Sequence, residues 1–163
     1  MKPKLIFWMF LILNLNSCIN KEYNVNYNVF FCNQSGKNLS IEYYKNGIIN
    51  INQSIKNIKN NECRNVFSIV SRGSSPTYGS EIIDNDSAVI IFDDGRKLTH
   101  YGYFQKNGPN PKAYPNNHNR NIFGDGTGYK DNWVYTLVSE TKNSKSEEMK
   151  YTFTEQDYLD AQK

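Results

Sequence analysis

Along most of the chain, apolar and polar residues alternate in short runs instead of recurring at helical spacing. Residues 27–33 (YNVFFCN) predict a strand, residues 34–38 a turn, and residues 39–44 (LSIEYY) its hairpin partner. Asn46-Gly47 predicts a two-residue hairpin turn, because both residue types tolerate the positive φ that a type I′ turn requires. Residues 48–58 (IININQSIKNI) predict one half-buried strand, with Ile49, Ile51, Gln53 and Ile55 on a mostly apolar inner face and Asn50, Asn52 and Ser54 on the outer. Residues 65–70 and 81–84 continue the pattern, and residues 88–92 (AVIIF) are apolar enough for a central strand. Asp93-Asp94-Gly95-Arg96 then turns the chain into a returning strand over 97–103.

The pattern lapses over residues 105–119, where three prolines and five asparagines predict a long loop. A brief pairing segment at 121–123 and a flexible turn, Gly124-Asp125-Gly126-Thr127-Gly128, follow. Residues 133–138 (WVYTLV) and 150–153 (KYTF) are the last strands, with 139–148 as a charged excursion between them. Thr154-Glu155-Gln156-Asp157 has the form of a helix N-terminus, so 155–162 predicts a short closing helix. Eight or nine short strands with almost no helical periodicity predict an all-β fold, an antiparallel β-sandwich or open barrel with a short C-terminal helix.

Length fits one domain: 163 residues can enclose a core, and five prolines with ten glycines exclude a linker-dominated chain. Nineteen basic and sixteen acidic residues are spread evenly, so no basic block marks a nucleic-acid footprint and no nucleic-acid partner is expected. Twenty-four asparagines lower helix propensity and favour turns.

The first twenty residues carry a different signal. Met1-Lys2-Pro3-Lys4 is cationic and residues 5–15 (LIFWMFLILNL) are apolar but too short to span a bilayer, which is the layout of a secretory signal peptide. Leu15-Asn16-Ser17-Cys18 resembles the lipobox of bacterial lipoproteins at Leu15, Ser17 and Cys18, and departs from it at Asn16. The resemblance implies cleavage before Cys18, a diacylglycerol on its thiol and an acylated (palmitate-type) amino group, which together anchor a domain stably. The expected organisation is a signal peptide over 1–17, a tether over 18–26 and a single β-rich domain over 27–163. Lys21-Glu22 in that tether is similar to the charged segment by which some Bacteroidota-type lipoproteins reach the cell surface, and equally reads as a solvated linker.

Cys32 and Cys63 remain as an even pair in an oxidising compartment, where a disulfide is the simplest use and two buried free thiols are the alternative. Neither His100 nor His118 adds metal-ligand spacing, so no metal and no cofactor are expected. His100 lies in a strand pattern and is expected to face solvent; with no nucleophile elbow, it does not select a serine for a triad. Asp84/Asp86 and Asp93/Asp94 read as turn acids, and the glycines of 124–128 lack the Lys-Ser/Thr of a phosphate loop. No catalytic residue is assigned and the chain is not expected to be an enzyme. The aromatic residues beside the long loops, Tyr101, Tyr103, Phe104, Tyr114, Tyr129 and Trp133, are the candidate binding residues, since such rings stack on sugars or fill a partner's pocket.

VFFCNQSG, SAVIIFDDGRKLTH and YTFTEQDY resemble small uncharacterised lipoproteins of the Bacteroidota type, a resemblance that implies a shared fold and carries no activity. The expectation is a lipid-anchored envelope protein, at the outer membrane, that acts by binding an envelope protein or glycan. An immunity protein that blocks a toxin and a small hydrolase are the rivals; a neighbouring toxin gene would favour the first, a reactive serine or bound metal the second.

Overall fold

The computed structural model describes residues 24–72, 85–102, 120–123 and 133–162. These form β1 (Asn24–Gln34), β2 (Leu39–Lys45), β3 (Ile48–Ile49), β4 (Ile55–Ile58), β5 (Cys63–Arg72), β6 (Ser87–Phe92), β7 (Lys97–Tyr101), β8 (Trp133–Glu140), β9 (Ser144–Thr154) and α1 (Glu155–Asp160). One sheet has the order β5-β1-β9-β8. The other runs β3-β2-β6-β7, with β4 also on β2. The strict alternation of β1 puts Val25, Tyr27, Val29 and Phe31 inward, where they meet Met149, Tyr151 and Phe153 of β9 and, from the facing sheet, Leu39, Ile41, Tyr43, Ala88, Ile90, Phe92 and Leu98. The result is an all-β sandwich, and β6 is central in its sheet, between β2 and β7. Phe31 meets Trp133, Tyr151 and Phe153 edge-on at centroid distances of 6.2, 6.1 and 5.6 Å, a geometry that aligns ring edges with ring faces.

Asn46 and Gly47 both take positive φ, and the flanking Lys45 and Ile48 pair as a two-residue turn demands. The closing helix is also present: Asp157 returns its carboxylate to the Thr154 backbone N–H, forming a capping box with the Thr154 side chain. β1 begins at Asn24, so residues 24–26 of the expected tether are strand.

Three local expectations change. Residues 48–58 are not one strand, because the Asn50 carbonyl accepts from the Gln53 and Ser54 amides and breaks the ladder. The Asn50 side chain donates to Gln53 and to the buried Asn85, so short amides outcompete strand pairing and leave Ile49 and Ile51 exposed. The charged excursion over 139–148 is mostly strand: β8 runs to Glu140, Thr141–Ser144 closes a tight turn, and β9 starts at Ser144. Its charges satisfy one another two residues apart, as Lys145–Glu147 and Glu148–Lys150 pairs. Finally, β1 and β9 are parallel, from Asn24↔Ser144 to Gln34↔Thr154, within an otherwise antiparallel set of pairings.

Candidate functional site

β7 ends at Tyr101, and Ile122 and Phe123 of the described stretch 120–123 pack in the core. Both ends of the intervening stretch are gripped by one buried polar cluster. Asn121 donates through Nδ2 to the Tyr101 carbonyl at 2.8 Å, and its Oδ1 accepts from the Phe123 amide at 2.8 Å. The Ile122 amide donates to His100 Nδ1 at 3.0 Å. Beside it the Tyr151 hydroxyl donates to the Arg120 carbonyl, and Arg120 Nη2 reaches the fully buried Asp157 Oδ2 at 2.6 Å. Ile122 and Phe123 complete the grip by burying their side chains, Phe123 against Tyr43.

The departure of the chain from β7 is fixed as well. The Gly102 amide donates to the Asp86 carbonyl at 2.7 Å, and a Cβ at this position would lie 2.9 Å from the Asn85 carbonyl and 3.0 Å from that of Asp86. Only glycine allows backbone to approach backbone this closely. Tyr101 and Gly102 on one side and residues 120–123 on the other are therefore held together by buried hydrogen bonds, while residues 103–119 between them, where the sequence predicts a long loop over 105–119, lie outside the described residues.

His100 does not face solvent as expected. It is fully buried, with its ring 6.4 Å from that of Tyr151 and 6.5 Å from that of Phe153. Alternation along β7 puts Leu98 and His100 on the same inner face, and the Ile122 amide supplies the partner that a buried imidazole needs. Because Nδ1 accepts that bond, the ring proton is assigned to Nε2. Nδ1 is thus committed to a backbone amide and cannot take a proton from a nucleophile. Burial is the largest influence on Asp157 and raises its carboxyl above the ordinary range, against the lowering influence of the Thr154 amide and Arg120. These groups tie residues 120–123 to β7, β9 and α1.

Tyr101 is buried and Trp133 is half-buried against Phe31 and Tyr151, so the structure places both rings with the packing of the sandwich. Tyr103, Phe104, Tyr114 and Tyr129 lie outside the described residues, as do residues 1–17, Cys18, residues 81–84, His118 and residues 124–128. Cys32 and Cys63 are bonded, with Cα atoms 4.0 Å apart as direct partners across β1 and β5. The acid pair at 93 and 94 serves its turn: Asp93 accepts from the Asn38 amide, and Asp94 accepts from the Arg96 amide and the Tyr158 hydroxyl. No cluster of three His, Cys, Asp or Glu side chains suited to a metal occurs among the described residues.

Asn121, Gly102 and the Arg120–Asp157 pair are the residues that sequence reasoning missed. The available signal was Asn121-Ile122-Phe123, an apolar pair shortly after the fifteen aperiodic residues 105–119. No family model matches the chain, and no curated protein or solved structure matches it.

Proposed function

We propose that this protein is a lipid-anchored lipoprotein of the bacterial outer membrane, attached through Cys18, and that it works by binding an envelope protein or glycan rather than by catalysis. The observation that carries the reading is the clasp on residues 102–120: buried hydrogen bonds from Asn121 to Tyr101 and from Ile122 to His100 hold the two ends of a long segment on a rigid sandwich. Long segments presented from a rigid frame are where recognition concentrates. This one contains Tyr103, Phe104 and Tyr114, and Tyr129 follows before β8. Tyrosine and phenylalanine rings contribute large contact areas at little side-chain entropy cost. In support of the anchor, the apolar run before Cys18 is too short to span a bilayer.

Two experiments test the proposal. In fractionated cells the Cys18→Ala protein should leave the membrane or remain unprocessed, and an unlipidated mature chain by intact mass would refute the anchor. Envelope polysaccharide and envelope-protein fractions, titrated against the wild type and a Tyr103→Ala/Tyr114→Ala variant, test recognition. Binding should weaken with little change in thermal midpoint; unchanged binding would remove these rings from the recognition surface.

A further inference from the structure

We infer that the sandwich stands on the bilayer with the Asn24 end down, seated through exposed aliphatic side chains from both sheets. This rests on the proposed anchor at Cys18. From Cys18 to Asn24 is six residues, about 20 Å at full stretch, whereas the eleven residues of β1 rise about 36 Å. The end of β1 that enters the sheet is thus confined to the neighbourhood of the lipid, and the Gln34 end can be lifted clear of it.

The exposed aliphatic residues are distributed accordingly. Asn24 pairs with Arg72 and Ser144, and Asn26 with Val70 and Ser146, so Val70 sits beside the entry point on one edge of the sheet. On the other edge Leu137 pairs with Glu147, and Val138 occupies the bulge before Ser139. β2 starts just after β1 ends and runs back, so its Lys45 end and the turn beyond it, with Ile48 and Ile51, return toward the Asn24 end. The pairing of Val29 with Phe67 and the contact of Phe67 with Tyr43 put Tyr43 near the middle of β1 and the hairpin below it. Exposure is 68% at Val70, 53% at Leu137, 55% at Val138, 71% at Ile48 and 72% at Ile51. Toward the opposite end the exposed large apolar residues among the described residues are two, Leu159 on α1 and Val134, which pairs with Lys150 at the level of Phe30. Scattered single aliphatics need no explanation, but five at the one end tied to an acyl chain form a surface suited to the headgroup–acyl boundary.

The test uses the full chain, lipidated in a host and reconstituted in phosphatidylethanolamine/phosphatidylglycerol vesicles containing a nitroxide-labelled lipid. Cys18 is acylated and the other two cysteines are bonded, so Val138→Cys, Ile51→Cys and Gln156→Cys each offer one thiol for an environment-sensitive fluorophore. Intact mass first reads whether Cys18 carries the lipid. With the lipid present, the labels at 138 and 51 should be quenched roughly threefold more than the label at 156, on the exposed side of α1. Equal quenching at the three positions overturns the orientation while leaving the anchor intact. An unacylated Cys18 overturns the anchor and the orientation together. Energy transfer between labels at 138 that persists in detergent assigns the surface to a second copy of this chain and also overturns it.

Discussion

Reduction of the Cys32–Cys63 bond should lower stability by about 3.7 kcal/mol without altering the native fold. The bond joins residues 31 positions apart. In the chain-entropy relation a loop of that length removes about 12 cal/mol/K from the unfolded ensemble, which is about 3.7 kcal/mol at 25 °C. Little of this should be offset in the native state, because Cys32 and Cys63 are already partners in the β1–β5 ladder, and flanking backbone bonds, Asn33 N–H to Glu62 O and Asn61 N–H to Asn33 O, hold the two strands there. For a domain of this size the loss corresponds to roughly a 10 °C fall in thermal midpoint. The assay is urea unfolding of one preparation, oxidised and reduced, followed by circular dichroism, with thiol labelling under denaturing conditions to count free cysteines. The denaturant slope should also increase on reduction, since the uncrosslinked unfolded chain exposes more surface. Coincident midpoints for the two forms would refute the entropic reasoning; two free thiols in the untreated protein would refute the bond.

Further predictions follow from the buried polar groups and one exposed turn. Tyr43 is fully buried and its hydroxyl finds no partner among the described residues, while burial raises its phenol well above the ordinary value; Tyr43→Phe should therefore stabilise the protein by about 1 kcal/mol in urea, and a loss would mean that the hydroxyl is bonded. Arg120→Met leaves the Asp157 carboxylate buried without its guanidinium and should cost about 3 kcal/mol. The Arg120→Met/Asp157→Leu pair should recover all but about 1 kcal/mol, the share of the lost helix cap; a double variant no better than the single would show that the buried charge is not the cause. The Lys59 amide, then Arg64, hold the Glu62 carboxyl below its ordinary value, so its contribution is present above the unfolded pKa and lost as pH falls through the folded one. Urea midpoints of wild type and Glu62→Gln should therefore differ at pH 7 and converge on acidification, and a constant difference would refute the linkage.

The legible parts of the fold were those written in adjacent residues. Alternation in β1 follows from side chains pointing to opposite faces, the Asn46-Gly47 turn from the φ values those residues accept, and the α1 start from Thr154 and Asp157 three positions apart. What misled was competition between local and long-range bonds. Ile49 and Ile51 fit a strand pattern, but Asn50 found better partners in Gln53, Ser54 and Asn85, the last thirty-five positions away. The charges of β9 looked like a loop because pairing across two residues makes a strand as polar as a linker. His100 was legible as a strand residue and illegible as a buried one, since its partner is an amide supplied by Ile122 beyond an aperiodic stretch. The clasp left almost no trace in sequence, because a backbone carbonyl or amide takes part in most of its bonds.

The parallel alignment of β1 with β9 has a consequence for the order of assembly. The strand at the interior of one sheet is made nearly first, and one of its two neighbours nearly last, with almost the whole domain between them. During synthesis β1 can acquire β5 but must wait for residues 144–154 before its second edge is covered. Closing so long an interval makes folding slow and late, governed by topology more than by local propensity. Until the final segment arrives, the nascent chain carries an unpaired strand edge and an uncovered aromatic face, the features that recruit chaperones and seed aggregation. A domain built in this way is all-or-none with respect to residues 144–154: their loss would remove a central strand and leave no smaller version of the same sandwich.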